Sequence, residues 1–232
     1  MKKYMITIII ILILFFSFIF RLWPLEYAHY WDETVYLNHA ELIFSGEDNY
    51  SEINSRPIFL SILIAGAYLI WHHIFSADIL MSLIGTLGVF FIFLIGKKVY
   101  NEYVGLISAF LLGFSPFIIL NSHFILTDIP ALTFFIIAIY FYISKESSIN
   151  YFLAGLFFSI SILTKFSYLV MVFIFVIYLL ILYEFKIIFI LKKYYFILIG
   201  FLLGLLPYLI WAQIKFSFFF SSIYFWCFGC NS

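Results

Sequence analysis

The sequence contains little charge and almost no cysteine. Asp, Glu, Lys and Arg make up 10% of its 232 residues, far below the roughly 25% typical of soluble domains, so a soluble globular protein is excluded. Twelve basic residues balance twelve acidic ones, which leaves no positive field to hold nucleic acid. Cys227 and Cys230 are too few for a disulfide framework, and their spacing supplies only half of a zinc site.

Apolar residues dominate instead, at 66% of the chain. Several uninterrupted stretches approach the roughly 20 residues that cross a bilayer. Eight candidates follow one another: 4–20, 58–75, 78–96, 104–121, 129–144, 151–164, 166–185 and 195–214. The first has no cleavage site after it, so we interpret it as a spanning helix with Arg21 and Trp23 at the far interface. The sequence therefore predicts an all-α polytopic membrane protein.

The distribution of lysine and arginine favours seven crossings. If 58–75 lies along or dips into the outer interface, eight basic residues fall inside and four outside, as the positive-inside rule requires. Eight crossings would either invert that count or translocate Lys2 and Lys3. We therefore expect a cytoplasmic N-terminus and an outer face with most of the carboxylates. The predicted organisation is a seven-helix module over 1–214, with a first outer loop at 24–75 and an aromatic tail at 215–232.

The first outer loop carries the long polar segment of the chain, and within it a short amphipathic helix is expected. Apolar side chains recur there with helical spacing on one face: Tyr36, Leu37, Ala40, Ile43 and Phe44. Gly46 ends this predicted helix. Such a helix would rest on the membrane surface and hold Asp32 and Glu33 at a fixed height above the lipid.

Asp32, Glu33 and Asp128 are candidate functional groups, because the seven-helix arrangement puts them on one outer face. A partly desolvated carboxylate is a natural general base or metal ligand. Both aspartates also have a structural interpretation. Asp32 could N-cap the helix that follows it, and Asp128 could N-cap one that starts at Ile129. Spacing alone leaves the two interpretations open.

Five short motifs follow one another in the same order and spacing as in a known superfamily. They are Tyr30 to Gly46, Arg56 to Ile58, Leu94 to Tyr100, Thr127 to Pro130 and Gly155 to Lys165. Together they resemble the GT-C glycosyltransferases, in particular the protein O-mannosyltransferases and the aminoarabinose and dodecaprenyl-phosphate transferases. One departure is Ile58, which stands where that family has the second proline of Pro-Pro-Leu.

The resemblance implies an enzyme that moves a sugar from a polyprenyl or dolichyl phosphate to an acceptor at the outer face, with inversion at the anomeric carbon. Carried over by position, Asp32 is the candidate base, and Glu33 orients it or the acceptor. Asp128 is a substrate-binding or metal-binding carboxylate. Arg56 and Lys165 are candidates for the lipid phosphate, although an arginine or lysine at an interface more often contacts lipid headgroups or snorkels.

Tyr36 and His123 complete the expected substrate-binding set. A divalent cation is left open, with Asp32 and Asp128 as its first candidates and His123 as a minor one. The five histidines all fall on the outer side of this arrangement, where each is expected to be interfacial or hydrogen-bonded: His29, His39, His72, His73 and His123.

Other functions stay in competition at this point. Superfamily members continue beyond the module with further helices, so the chain is expected to be a minimal enzyme, a truncated product, or a module with a partner subunit. A transporter or lipid flippase is the second class, but such proteins place charges at the bilayer midplane within broken helices. A third class, the non-catalytic assembly subunit, predicts that Asp32 tolerates replacement by Asn. Expected partners are the lipid-linked donor and membrane lipids.

Overall fold

The computed structural model describes residues 2–23, 31–47 and 56–216, and the statements below concern that part of the chain. Parts of the first outer loop and all but the start of the predicted aromatic tail lie outside it. The described residues form α-helices without a strand, which confirms the all-α class. The helices are α1 Lys2–Leu22, α2 Trp31–Ser45, α3 Phe59–Tyr68, α4 Ile74–Val99, α5 Glu102–Gly113, α6 Pro116–His123, α7 Asp128–Tyr142, α8 Ser148–Thr164, α9 Tyr168–Leu182 and α10 Ile187–Phe216.

Large apolar side chains cover the outside of the helix bundle. On α9, for example, Leu169, Val170, Phe173 and Ile181 are all more than half exposed. A continuous apolar exterior of this kind is not tolerated by a monomer in water, whereas it matches the hydrocarbon core of a bilayer. The chain is therefore an all-α membrane protein.

Three helical segments are long and apolar enough to cross a bilayer by themselves: Tyr4–Leu22, Ile74–Val99 and Ile187–Ile214. The pair α5 and α6 adds a fourth span if it is counted as one broken helix. Helices α3, α7, α8 and α9 are apolar but shorter, so the seven crossings stay a prediction. The 10 residues of α3 rise only about 15 Å, which is too short to cross and agrees with an interfacial position for 58–75.

The stretch 104–121 is not the single helix that its hydropathy predicts. It is divided into α5 and α6, whose axes are bent by 52°. Pro116 occupies the first turn of α6, and a proline removes one backbone donor and disfavours helical geometry at the residue before it. The break leaves carbonyl groups at the end of α5 without intrahelical partners.

Arg21 donates to those carbonyls and is buried inside the bundle, while its predicted position at the membrane interface stays a prediction. The residue is only 2% exposed. Its Nη1 donates to the carbonyl of Gly113 (3.2 Å) and its Nη2 to that of Leu112 (3.4 Å), while Nη1 also reaches the carbonyl of Ser17 (3.0 Å). A guanidinium has five N–H donors, enough to serve several orphan carbonyls at once. Arg21 thereby ties α1 to the α5–α6 break.

Helices α8 and α10 approach each other closely because glycine faces the partner backbone. A Cβ atom on Gly155 would overlap the carbonyl of Ile197, and one on Gly200 would overlap the carbonyl of Phe152. Small residues allow such close packing between membrane helices. Helix α10 begins at Ile187, earlier than the predicted 195, and is kinked at Tyr194, where φ is −115° and ψ is 18°.

The amphipathic helix of the first loop is present as α2. It ends at Ser45, and Gly46 follows with φ at +72°, a conformation that glycine adopts without strain. Tyr36 and Ala40 are buried in a cluster with Leu60 and Ile64 of α3. This packing fixes α2 across one end of the bundle, which is called the α2 end below.

Helices α7 and α8 run antiparallel and bring two turns together at the α2 end. The hydroxyl of Ser161 on α8 donates to the carbonyl of Ala131 on α7 (2.8 Å). As a result, the turn that precedes α7 and the turn that follows α8 are neighbours. Both turns face the N-terminal half of α2.

Candidate active site

A polar pocket opens at the α2 end where four segments meet. Its walls come from α2, from the residues before α3, and from the two turns that flank α7 and α8. The lining residues are Tyr36, Arg56, Pro57, Thr127, Lys165, Phe166 and Ser167. Three of the residues expected to bind substrate thus share one pocket, although they are separated by up to 129 positions in the sequence.

Each basic residue of the polar pocket is paired with one of the predicted aspartates. Arg56 Nη2 bonds Asp32 Oδ1, and Lys165 Nζ bonds Asp128 Oδ1. The basic side chains are both 34% exposed, and the aspartate side chains are 43% and 51% exposed. All four groups are therefore reachable from outside, and both positive charges face the pocket.

These ion pairs bear on the alternative interpretation of Asp32 and Asp128 as N-caps of α2 and α7. Asp128 is the first residue of α7, and Thr127 occupies the N-cap position without a side-chain capping bond. Asp32 likewise lies in the first turn of α2 rather than before it. Carboxylates there interact favourably with the helix dipole. Nevertheless, Oδ1 of Asp32 bonds Arg56 and Oδ1 of Asp128 bonds Lys165, so each aspartate has a partner outside its own helix.

Tyr36 is almost completely buried, at 3% exposed. Burial raises the pKa of its hydroxyl above the ordinary value, although hydrogen bonds with Thr127 and Arg56 act in the opposite direction. The phenol therefore keeps its proton at neutral pH and remains a hydrogen-bond donor. Its backbone carbonyl accepts from the hydroxyl of Ser61 (3.1 Å), which holds this part of α2 on α3.

Glu33 lies inside the protein rather than in the polar pocket. It is 0% exposed, and its Oε1 accepts a hydrogen bond from the backbone N–H of Ile125 (2.8 Å). This bond connects the first turn of α2 to the turn that carries Thr127 and Asp128. A carboxylate bonded to a backbone amide is a strong, charge-assisted contact. The expected role of Glu33 in orienting Asp32 or the acceptor stays a prediction.

His123 is not among the residues that line the polar pocket. It lies at the end of α6 and is 8% exposed. A binding role for His123 stays a prediction without support from the pocket geometry.

An apolar groove begins beside the polar pocket and runs along α3 and α10. It has a volume of about 370 Å³. Pro57 lines the pocket and Ile58 lines the groove, so consecutive residues connect the two. The groove is lined by Ile43, Ile58, Phe59, Ile62, Leu163, Gly204, Pro207, Tyr208 and Trp211.

Sequence reasoning missed Thr127, Pro57, Phe166 and Ser167 as lining residues. Thr127, Pro57 and Phe166 are each adjacent to a charged residue that was identified, and Ser167 lies two positions after Lys165, so proximity in the sequence was the available signal. His39 is buried, at 2% exposed, and neither of its ring nitrogens has a hydrogen-bond partner in the described part of the chain. Of the two expectations for this residue, the hydrogen bond is therefore absent there, and the interfacial position stays a prediction.

The residues present offer limited support for a metal ion. Within 2–23, 31–47 and 56–216, no three His, Cys, Asp or Glu side chains come together as a metal-binding group. Asp32 and Asp128 each bond a basic side chain. A divalent cation shared by the two carboxylates would therefore have to replace Arg56 and Lys165.

Comparison with models of protein families identifies a family for this chain. The family model described as dolichyl-phosphate-mannose-protein mannosyltransferase matches residues 55–211, which is more than half of the chain. This range includes Arg56, Asp128 and Lys165, together with most residues of the apolar groove. No curated protein and no solved structure matches the chain.

Proposed function

The chain belongs to the dolichyl-phosphate-mannose-protein mannosyltransferase family, and from this premise we propose that it transfers a sugar from a polyprenyl- or dolichyl-phosphate donor to an acceptor at the outer membrane face. Membership makes it a membrane glycosyltransferase of the GT-C type. One observation supports the donor in particular. Two basic side chains face a polar pocket that continues into an apolar groove.

A lipid-linked sugar phosphate has the same two-part chemistry. Its phosphate is an anion that Arg56 and Lys165 would bind with charge-assisted hydrogen bonds. Its polyprenyl chain is apolar, and the groove beside Pro57 offers side chains such as Phe59, Leu163 and Trp211. Tyr36, protonated at neutral pH, would donate a further hydrogen bond at the bottom of the pocket.

The proposed reaction is a single displacement. Asp32 takes the proton of the acceptor hydroxyl while its oxygen attacks the anomeric carbon of the donor. The bond between that carbon and the phosphate oxygen breaks, and its electron pair leaves with the phosphate. Arg56 and Lys165 stabilise the charge that develops on the leaving group, so no general acid is required. One displacement inverts the configuration at the anomeric carbon.

The ion pairs give the two carboxylates different roles in this scheme. Asp32 is proposed as the base, and Arg56 holds it at the mouth of the polar pocket. Asp128 is proposed to position Lys165, whose flexible side chain would otherwise extend into solvent. The hydrogen bond from Ile125 N–H to Glu33 holds the first turn of α2, which carries Asp32, against the turn that carries Asp128.

We further propose seven crossings with a cytoplasmic N-terminus, so that the polar pocket opens on the outer face. The basis is the excess of lysine at the opposite end of the bundle, where Lys97 and Lys98 end α4. A short tag inserted at Asn101 is expected to be labelled only after the membrane is permeabilised. Labelling in intact cells would overturn this topology.

The test of the catalytic proposal compares Asp32→Asn with Asp78→Asn, the same substitution on α4 away from the pocket. Membranes are used, because a partner subunit that completes the acceptor site is part of the proposal. With radiolabelled polyprenyl-phosphate mannose, Asp32→Asn is expected to lose about a hundredfold or more of the transfer rate, and Asp78→Asn to retain it. Transfer by Asp32→Asn at the wild-type rate would make the chain a non-catalytic subunit, and no transfer by the wild type would refute the proposal.

One observation favours the alternative of lipid transport. The α5–α6 span is broken and has the buried Arg21 beside it, and broken helices with charged residues are typical of transporters. However, Arg21 bonds the carbonyls of Leu112 and Gly113, so it stabilises the break. A flippase would move a fluorescent polyprenyl phosphate across proteoliposome membranes without an acceptor, and the glycosyltransferase is expected not to.

A further inference from the structure

A second apolar groove lies on the outside of the bundle, between α3 and the first three turns of α4, and is called the α3–α4 groove below. Its volume is about 360 Å³, within the range of about 300 to 1,000 Å³ that is usual for small-molecule sites. It shares no lining residue with the polar pocket or with the groove beside Pro57. The residues used below are Gly66, Ile70, Trp71, Ser76 and Leu83.

The α3–α4 groove opens on the lipid-facing exterior of the protein. Ile70 at its edge is 90% exposed, and Leu83 is 54% exposed. Apart from the hydroxyl of Ser76 and the indole N–H of Trp71, the side chains that line it are hydrocarbon. Water finds few hydrogen-bond partners in such a space, and an empty space forfeits the dispersion contacts of its walls. In a bilayer the groove is therefore filled by hydrocarbon.

An aromatic stack marks one end of the α3–α4 groove. The ring of Trp71 lies on that of His73, with centroids 5.1 Å apart and planes 15° from parallel. Both residues belong to the turn between α3, which is too short to cross a bilayer, and α4, which is long enough. Indole rings concentrate at the level of the lipid headgroups. An amphiphile whose chain fills the groove would therefore have its headgroup beside this stack.

Gly66 leaves the α3–α4 groove open. A Cβ atom on this residue would meet nothing within 4 Å outside its own helix, whereas a Cβ atom on Gly204 in the other groove would meet the hydroxyl of Ser159. Glycine inside a helix costs stability relative to alanine, and at Gly66 no neighbouring backbone requires it. Space for a ligand chain accounts for this glycine.

We propose that the α3–α4 groove binds an acyl chain of a phospholipid from the leaflet at the α2 end, with the headgroup beside Trp71 and His73. The occupant is a bilayer lipid because the groove is continuous with the lipid-facing exterior. The chain of the lipid-linked donor is assigned to the other groove, which adjoins the polar pocket through Pro57 and Ile58. The inference goes beyond the proposed function and does not depend on it.

The experiment titrates the full-length protein in detergent with phosphatidylcholine that carries bromine on its acyl chains. Bromine quenches the fluorescence of a tryptophan that it contacts. Trp71→Phe is titrated in parallel, and the difference between the two curves isolates Trp71 from the other tryptophans of the chain. The quenching of Trp71 is expected to saturate near one lipid per protein.

Gly66→Leu tests the place of binding, because the leucine side chain would fill the groove. It is expected to weaken the saturable binding about tenfold or more. Gly66→Ala is the matched control, since it removes the same glycine from α3 but occupies little of the groove, and it is expected to bind within about twofold of the wild type. In the lipid-free protein both variants are expected to raise the unfolding midpoint by about 2 to 4 °C. A midpoint of Gly66→Leu below that of the wild type would overturn the inference, since the groove would not then be open.

The remaining outcomes identify other occupants, and each of them overturns the inference. Quenching without saturation, or equal binding by Gly66→Leu and the wild type, would mean that no phospholipid has a fixed place in the groove. Displacement of the brominated lipid by an equal concentration of polyprenyl phosphate would assign the groove to the donor chain. A change from dimer to monomer in Gly66→Leu, measured by light scattering with lipid binding unchanged, would assign it to a second copy of the chain.

Discussion

The two ends of the helix bundle both carry ion pairs, but the pairs are arranged differently. At the α2 end, Arg56 with Asp32 and Lys165 with Asp128 join segments that are far apart in the sequence. At the opposite end, Lys97 pairs with Glu102 across a turn at 2.7 Å. A similar local pair joins Lys186 to Glu184, and Lys193 reaches Glu146.

Exposure does not separate the two sets. Lys165 is 34% exposed and Lys193 is 27% exposed, so the two sets overlap, although Lys186 and Glu184 are more exposed, at 67% and 78%. What differs is the direction in which the basic groups point. Arg56 and Lys165 face one shared pocket beside an apolar groove. At the opposite end, Lys97 and Lys186 pair across turns, and Lys193 of α10 reaches Glu146 between α7 and α8. An ion pair between a carboxylate and a basic side chain therefore indicates a functional site only when the surrounding residues also form a cavity.

The strongest test of this difference removes one lysine from each end. Lys165→Met is expected to lower sugar transfer about a hundredfold, because one of two groups that stabilise the leaving phosphate is lost. Lys193→Met is expected to change transfer less than about threefold, since Lys193 contacts Glu146 and the hydroxyl of Tyr183. Initial rates with a labelled lipid-linked sugar, at equal amounts of folded protein, give the comparison.

Lys165→Arg serves as the control for charge, because it keeps the positive group and changes its shape. It is expected to retain more transfer than Lys165→Met. If the two lysine-to-methionine variants lose activity equally, the distinction between the ends is wrong.

A second test concerns stability. Glu33→Leu removes the acceptor of the buried Ile125 N–H and is expected to destabilise the protein by about 2 kcal/mol. Glu146→Leu, on an exposed turn at the opposite end, is expected to leave the unfolding midpoint unchanged. Thermal unfolding in detergent measures both. Equal midpoints for the two variants would show that Glu33 does not connect α2 to the turn before α7.

Much of this arrangement is readable from the sequence. The amphipathic spacing and Gly46 predict α2. The scarcity of charge draws attention to Asp32 and Asp128, and the family resemblance identifies Arg56 and Lys165. Their grouping follows from a simple rule, since both aspartates begin helices at one end of the bundle. Short sequence patterns were sufficient to predict features that depend on neighbouring residues, such as the start and end of a helix.

The remaining features depend on contacts between distant segments. Pro116 signals the α5–α6 break, but hydropathy runs through it without interruption. Arg21 is buried because the break leaves backbone carbonyls without intrahelical partners, and its guanidinium donates to them. The burial of His39 similarly depends on the packing of α2 against α3. The helical spacing of apolar residues on α2 predicts that this helix packs against another surface, but it does not predict which residues become buried.

A third test uses pH. The pKa of His39 in the folded protein is about 4, below the roughly 6.5 of an unfolded chain. As pH falls through 6.5, the unfolded state binds a proton that the folded state does not, so folding stability decreases between about pH 6.5 and pH 4. On acidification from pH 7 to pH 5, the wild type is expected to lose about 2 kcal/mol more than His39→Leu.

Thermal unfolding at the two pH values measures that difference, and the subtraction removes the contributions of other titrating groups. Arg56 is the charged neighbour that acts on His39, so Arg56→Met is expected to reduce the pH dependence without abolishing it. Identical pH profiles for the wild type and His39→Leu would contradict the burial of this ring.

The smallest effect is expected from Glu102→Gln at the opposite end. Its partner Lys97 is 45% exposed and Glu102 is 35% exposed, so solvent screens the pair and its loss should cost less than about 0.5 kcal/mol. Asn101 still caps α5, because its side chain accepts from the backbone N–H groups of Tyr103 and Val104. Unfolding midpoints and transfer rates are both expected to match the wild type. A tenfold loss of transfer would mean that the opposite end takes part in function, since an exposed pair across a turn has too little energy to act through stability.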